Sequence, residues 1–335
     1  MSFEQRLNRI WYAGDAAPWW LAALVPVYRA LGALRRMPYV LGLRKPARVG
    51  VPVVVVGNLV VGGSGKTPLV IALVEALRAR GWTPGVVSRG HGGSARGPLR
   101  LDEHSQAGDV GDEPCLIHRR TRAPVAIGRD RAQAAALLLA QGVDVVIADD
   151  GLQNPSFARD VEICVVDGRR RFGNGRLLPA GPLREPASRF ATFDFRVCNG
   201  AVPQVGEVAM RLVGDVAVPL AGDAPTRALD AFASLRVHAV AAIGDPSRFF
   251  DALRARGVDI VAHAFPDHHA FVAADLDFGD DLPVLMTEKD AVKCAPFARP
   301  DHWFVPVAAD LPETFLDAVA AKLSDGKGCR QQARR

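Results

Sequence analysis

The sequence predicts an α/β protein with mostly parallel sheets, on three observations. Short apolar, β-branched runs alternate with helix-period segments from about residue 50 to 200, and the alternation resumes after about residue 226. The first run enters a glycine-rich turn that ends in Gly65-Lys66-Thr67. With 335 residues, 49% of them hydrophobic, the chain can bury more than one core, so two domains are expected. The expected divisions are 1–48, an N-terminal helical segment; 49–202, a nucleotide-binding domain; 203–225, a linker; 226–324, a second α/β domain; and 325–335, a Gly-, Gln- and Arg-rich tail without structure.

Residues 1–48 hold eight basic groups against Glu4 and Asp15, a net +6, which leaves about −1 for the rest of the chain. A uniformly basic surface points to nucleic acid, but a basic segment on a near-neutral body does not, and no nucleic-acid partner is expected. The segment also carries Trp11, Tyr12, Trp19, Trp20, Tyr28 and Tyr39. No charge occurs between Asp15 and Arg29. That run is shorter than the ~20 apolar residues of a membrane span, and Pro26 interrupts it. It also lacks the basic start of a signal peptide. Interfacial aromatics flanked by arginines fit a helix lying on an anionic lipid surface; a helix packed on the protein's own core is the alternative.

The strand 51–56 comes next, a buried-type valine run. It leads into Gly57-Asn58-Leu59-Val60-Val61-Gly62-Gly63-Ser64-Gly65-Lys66-Thr67 and then a helix over 67–80 with Leu69, Leu73 and Leu77 on one face. This is the context of a nucleoside-triphosphate loop. Glycines let backbone N–H groups close around phosphates, the lysine reaches the β/γ-phosphates, and the threonine hydroxyl can ligate Mg²⁺. The usual glycine five positions before Gly65 is Val60 here.

Further strands are expected at 85–88, 124–127, 144–148, 161–166 and 193–198, with helices at 113–120 and 129–141. The run 207–220 reads as a hairpin or β-ribbon. Beyond it, strands at 237–243, 258–264, 283–287 and 303–307 alternate with helices at 246–256, 288–294 and 312–323. Five scattered cysteines (Cys115, Cys164, Cys198, Cys294 and Cys329) have no metal-ligand spacing. They fit reduced packing residues in a cytoplasmic setting.

Several segments can carry chemistry. Asp149-Asp150 ends an apolar strand, where P-loop proteins hold a metal ion, although acidic strand ends are also common solvated turns. Arg89 follows the second strand and can clamp a phosphate or sit in an ordinary glycine loop. Asp112 and Glu113 open a helix, where carboxylates also serve as simple caps. Gly173 to Glu185 is dense in Gly, Pro and charge and reads as an ordered functional loop. Asp267-His268-His269 lacks a third ligand for zinc. Thr287-Glu288-Lys289-Asp290 looks like a guanine-reading loop with its lysine one place too late.

Taken in order, these segments resemble the tetraacyldisaccharide 4′-kinase family, the lipid A 4′-kinases of Gram-negative bacteria. The resemblance rests on Gly62-Gly63-Ser64-Gly65-Lys66-Thr67-Pro68, Val87-Ser88-Arg89-Gly90, Gly111-Asp112-Glu113-Pro114, Asp149-Asp150-Gly151-Leu152-Gln153, Leu178 to Glu185, Asp267-His268 and Met286 to Cys294. It implies two α/β/α P-loop-type domains joined by a β-ribbon, with an N-terminal membrane-associating helix. It also implies ATP and Mg²⁺, and transfer of the γ-phosphoryl group to the 4′-hydroxyl of an acylated glucosamine disaccharide 1-phosphate at the cytoplasmic face of the inner membrane. Lys66 would then contact the phosphates within the loop Gly62, Gly63, Ser64, Gly65, Lys66 and Thr67. Thr67, Glu113, Asp149 and Asp150 would serve the metal, and Asp112 would be the base, oriented by His268. Arg89, Gln153 and Glu185 would line the site. The chain departs at His91, where the family usually has tyrosine, and at Asn154, where it usually has histidine; no role is carried over there. The alternative is a P-loop GTPase or metallochaperone switch, whose guanine motif and Cys/His cluster this sequence lacks.

Overall fold

The computed structural model describes the backbone of residues 3–332 and the side chains of residues 6–325; residues 333–335 and the Cys329 thiol lie outside the description. Two helices, α1 (Phe3–Tyr12) and α2 (Trp19–Val40), precede β1 (Val53–Gly57), α3 (Lys66–Ala79), β2 (Pro84–Ser88), β3 (Leu99–Arg100), α4 (Ala107–Val110) and α5 (Asp112–Thr121). Then come β4 (Val125–Ile127), α6 (Arg131–Leu139), β5 (Val145–Asp149), β6 (Val161–Asp167), β7 (Phe195–Asn199), β8 (Val208–Val213), β9 (Val216–Pro219) and β10 (Arg227–Ala228). The chain ends with β11 (Arg236–Ala241), α7 (Pro246–Arg254), β12 (Asp259–Ala264), β13 (Val284–Thr287), α8 (Glu288–Cys294), β14 (His302–Val305), β15 (Ala308–Asp310) and α9 (Glu313–Gln332).

Two sheets result. The larger has the order β15-β8-β7-β6-β1-β5-β2-β4-β3 and is parallel except for β3 and β15 at its edges. The smaller has the order β10-β9-β14-β13-β11-β12. The valines of β1 explain why the first sheet is covered on both faces. Val54 and Val56 pack under Leu69, Leu73 and Leu77 of α3, while Val53 and Val55 pack with Leu138 of α6, Leu152 and Phe157. Each fully buried valine side chain contributes about 1.5–3 kcal/mol of transfer free energy. Cys115, Cys164, Cys198 and Cys294 are buried free thiols inside these layers.

Three expectations change. The run 207–220 is a ribbon but not a hairpin. Its two halves pair with a distant stretch, β8 with β15 and β9 with β14, so a two-stranded antiparallel ribbon crosses from one sheet to the other. The stretch 226–324 is not one body. β10 to β14 belong to the smaller sheet, whereas β15 and α9 return to the larger one, where Phe315, Leu316, Val319 and Leu323 join its core. The tail expected to lack structure from Asp325 is helical through Gln332, because a helix already nucleated on that core gains one hydrogen bond per added residue.

The N-terminal segment forms two helices with two different faces. Ile10, Trp11 and Leu21 pack on Ala180, and the Trp11 indole donates to the Pro179 carbonyl at 3.0 Å. The opposite face of α2 leaves Trp20, Leu24, Val27, Leu31 and Leu34 exposed at three- and four-residue spacing, beside Trp19 at 82% exposure. Among the described residues no helix is long and apolar enough to cross a membrane.

Candidate active site

A cleft of about 2000 Å³ lies between the two sheets, with α1 and α2 closing one side through Leu7, Trp11 and Tyr28. Gly62 to Thr67 line it, at the carboxyl end of β1 and the start of α3. Ligands of open parallel sheets sit at this end, where the free N–H groups and positive dipole end of a helix meet them. Gly65 is left-handed at φ +94°, and a Cβ there would collide with the Asn199 amide. That amide in turn donates to the Ser64 carbonyl at 3.0 Å, so loop shape and glycine are tied together.

Lys66 is buried, its ammonium 3.8 Å from Asp150. Asp150 also pairs with Arg184 at 3.0 Å. Burial pushes the Asp150 carboxyl up, but the charges of Lys66 and Arg184 outweigh it and hold the group at about 2. Its backbone is left-handed at φ +49°, a conformation that costs a non-glycine residue energy and concentrates at functional positions. Asp149 is the opposite case. It is 0% exposed, both carboxylate oxygens lack a hydrogen-bond partner, and burial followed by the charges of Glu113 and Asp150 raises it to about 7. A buried, unpaired carboxylate of this kind calls for a proton or a cation. Among the described residues no cluster of three or more His, Cys, Asp or Glu could hold a metal by itself. The unpartnered Asp149 carboxylate would suit a magnesium ion, which takes one or two carboxylates and completes its shell with substrate phosphates and water.

The smaller sheet supplies the other wall. Asp112 begins α5 after Gly111, whose φ of +94° lets its backbone lie against the His91 carbonyl. His268, on the loop after β12 and also left-handed at φ +62°, brings Nδ1 to 3.1 Å from Asp112 Oδ2. Asp112 is 7% exposed and sits behind His268, which lines the cleft. Burial pushes Asp112 up, but the His268 hydrogen bond and the Lys293 and Lys289 charges outweigh it and lower its pKa. Close approach extends along the seam. A Cβ on Gly244 would meet the Gly63 amide at 2.6 Å, and Arg170 reaches from the first body to Asp245 at 2.9 Å and the Gly244 carbonyl at 3.0 Å.

The expected site residues therefore fall into groups. Lys66, Thr67, Glu113, Asp150, Arg89, Gln153 and His268 share the cleft wall, with Asp149 and Asp112 directly behind it. Gln153 is fixed by donating to the Asn58 carbonyl at 2.9 Å. Glu185 is not on the wall. It is buried and pairs with Arg36 of α2 at 3.1 Å and Arg189 at 2.8 Å, so it anchors the N-terminal helix instead. His91 meets the His268 ring edge-on at 5.2 Å, and Asn154 accepts from the Ser156 hydroxyl at 2.7 Å.

The helix expected over 288–294 is α8, but the sequence assigned its lysines no place in the site. Lys289 lies 3.5 Å from Glu113 and 3.3 Å from Asp267, and Lys293 lies 3.8 Å from Asp112 and 2.8 Å from Asp290. The available signal was a charge-dense turn at the carboxyl end of a strand, where parallel sheets place ligands.

The family model described as tetraacyldisaccharide-1-P 4′-kinase, LpxK, matches residues 17–324. The chain belongs to this family. That makes it an ATP-dependent kinase of lipid A biosynthesis. A tetraacyldisaccharide 4′-kinase of Stenotrophomonas maltophilia is 51% identical over 323 residues, covering 93% of this chain and 95% of that protein. One from Xanthomonas euvesicatoria pv. vesicatoria is 52% identical over 329 residues, covering 94% of each. Among solved structures, an "apo"-form LpxK from Aquifex aeolicus in complex with ATP superposes with a TM-score of 0.74 at 26% identity, covering 90% of this chain and 99% of that one.

Proposed function

We propose that this kinase moves the γ-phosphoryl group of ATP to the 4′-hydroxyl of a tetraacylated glucosamine disaccharide 1-phosphate at this cleft, with the larger sheet carrying the nucleotide and the smaller sheet closing on it. The observation that carries the reading is the 3.1 Å contact between Asp112 and His268, which come from different sheets and meet beside the phosphate loop. A sugar hydroxyl is a poor nucleophile, and a carboxylate within hydrogen-bond reach takes its proton as the phosphoryl group moves. Asp112 is that base. His268, with Nδ1 protonated, donates to Asp112 Oδ2 and so leaves Oδ1 for the hydroxyl. Lys66 and the backbone N–H groups of Gly62 to Thr67 hold the β- and γ-phosphates, and Arg89 offsets charge on the moving group. Thr67 and one or two of the carboxylates Glu113, Asp149 and Asp150 would hold magnesium, which when bound neutralises phosphate charge.

The acceptor carries acyl chains and lies in a lipid surface, so the kinase has to reach that surface. The exposed apolar stripe of α2, flanked by Arg29, Arg35, Arg44 and Lys45, supports peripheral docking on the anionic, cytoplasmic face of the inner membrane. The test is transfer of label from γ-labelled ATP to tetraacyldisaccharide 1-phosphate. Wild-type protein labels the disaccharide and Lys66→Ala does not. Absence of labelling by folded wild-type protein overturns the reading.

A further inference from the structure

The first turn of α8 is held more rigidly than a surface turn requires. Thr287 caps it by accepting from the Asp290 amide, and Asp290, fully buried, accepts from the Ala242 amide at 2.9 Å and the Thr287 hydroxyl at 2.6 Å. Glu288 binds Arg120 of α5 with both oxygens, at 2.8 and 2.9 Å. The residue between these two anchors is Lys289, which lines the cleft with its ammonium between Glu113 of the larger body and Asp267 of the smaller. Glu113 neighbours Asp112 in sequence and is close enough to Asp149 to raise that carboxyl. Asp267 neighbours His268. Lys289 is thus set between the nucleotide side and the acceptor side of the cleft, on a turn whose backbone is fixed from both bodies.

We propose that Lys289 is a further catalytic residue, whose ammonium contacts a γ-phosphoryl oxygen as that group crosses from ATP to the acceptor. The inference rests on the functional reading above. In the step, the acceptor oxygen forms the new bond to phosphorus and its proton passes to Asp112. The bond from phosphorus to the β,γ-bridging oxygen breaks, and its electron pair leaves with ADP. The moving group spreads its charge over three equatorial oxygens, and cations placed beforehand stabilise it most. Lys66 supplies one from the larger body. Lys289 supplies another from the smaller body, so full charge compensation exists only when the two bodies are together. Without nucleotide, Glu113 and Asp267 hold the ammonium in place.

The experiment compares wild type, Lys289→Met, Lys289→Arg and the double variant Lys289→Met/Asp267→Asn, the last removing one of the two carboxylates, Glu113 and Asp267, that the first leaves unpaired. Turnover with tetraacyldisaccharide 1-phosphate is measured beside affinities for ATP, for ADP, and for ADP with aluminium fluoride and magnesium, a planar mimic of the moving group. Lys289→Met is expected to lose about 10²–10³-fold in kcat, the range for removing one preorganised charge-stabilising group. ATP and ADP affinities stay within a few fold, the aluminium fluoride complex weakens in step with kcat, and Lys289→Arg recovers part of the loss. The double variant stays as slow as Lys289→Met. Normal turnover in Lys289→Met, recovery in the double variant, or equal weakening of all three nucleotide complexes overturns the inference. Wild-type protein that transfers no phosphate overturns the functional reading instead.

Discussion

Replacing the two members of the cross-body pair, singly and together, gives a quantitative test of how the acceptor is activated. Asp112→Asn keeps the shape of the side chain and removes its capacity to take a proton. A positioned acid–base group contributes about 10²–10⁴-fold, so kcat should fall by that much while ATP affinity changes little. His268→Ala removes one hydrogen bond to a charged, buried acceptor at 3.1 Å. Such bonds are worth about 1.5–3 kcal/mol, which at 1.4 kcal/mol per factor of ten is about 10–150-fold. The loss stops there because Lys293, 3.8 Å from the same carboxylate oxygen, still holds Asp112 in place. Once Asp112 is gone there is nothing for His268 to orient, so the double variant should resemble Asp112→Asn alone. The assay is single-turnover transfer from γ-labelled ATP, with folding checked by circular dichroism. Independent, multiplying effects refute the reasoning, as do near-normal rates in both single variants; either result would reduce Asp112 to a helix cap and His268 to a loop residue.

Three further outcomes follow from the structure. Arg120→Ala leaves Glu288 buried without its cation and should cost about 3–5 kcal/mol in urea unfolding; no change would mean that the clamp between α5 and α8 carries no weight. Asp149 is raised in the folded protein, so its contribution to stability is present below the ordinary carboxylate pKa and is lost as pH rises towards about 7, with a limiting slope of about 1.4 kcal/mol per pH unit. Asp149→Asn should therefore raise the Tm of the nucleotide-free protein more at pH 8 than at pH 4, and a gain that is equal at both pH values contradicts this. Leu24→Glu with Leu31→Glu should release the protein from anionic vesicles without lowering Tm, because both side chains are exposed, and undiminished vesicle binding rules out α2 as the docking face.

The parts of this fold that were legible in the sequence are those whose signal is local. The valine run, the glycine turn and the helix period of α3 sit next to one another in the chain, and each strand edge expected from the apolar pattern fell within a few residues of its observed place. The pairing of Asp112 with His268 came from resemblance to a family, since nothing in the spacing of two residues 156 apart announces a contact. What stayed hidden is what depends on long-range docking. β8 and β9 read as neighbours that pair, yet each finds its partner about ninety residues on, in the returning strands β15 and β14. The apolar face of α9 carries no mark saying which sheet it will cover. Glu185 stands beside a residue of the cleft wall, Arg184, but its side chain points to Arg36, and a sequence does not say which way a loop side chain turns. Lys289 sits in a charged turn that looks like a misplaced guanine-reading loop, and nothing in that local motif encodes its approach to Glu113, 176 residues away in the chain.

The central claim is that this cleft joins nucleotide and lipid acceptor in one direct transfer. The measurement that tests it most directly is the site and stoichiometry of phosphorylation, followed by phosphorus NMR on tetraacyldisaccharide 1-phosphate incubated with the protein, ATP and magnesium. The account predicts one new phosphomonoester, at the 4′ position, for each ADP formed, with both signals lost in Asp112→Asn. ADP accumulating with inorganic phosphate over an unmodified disaccharide, or phosphate added to the existing 1-phosphate, would contradict it.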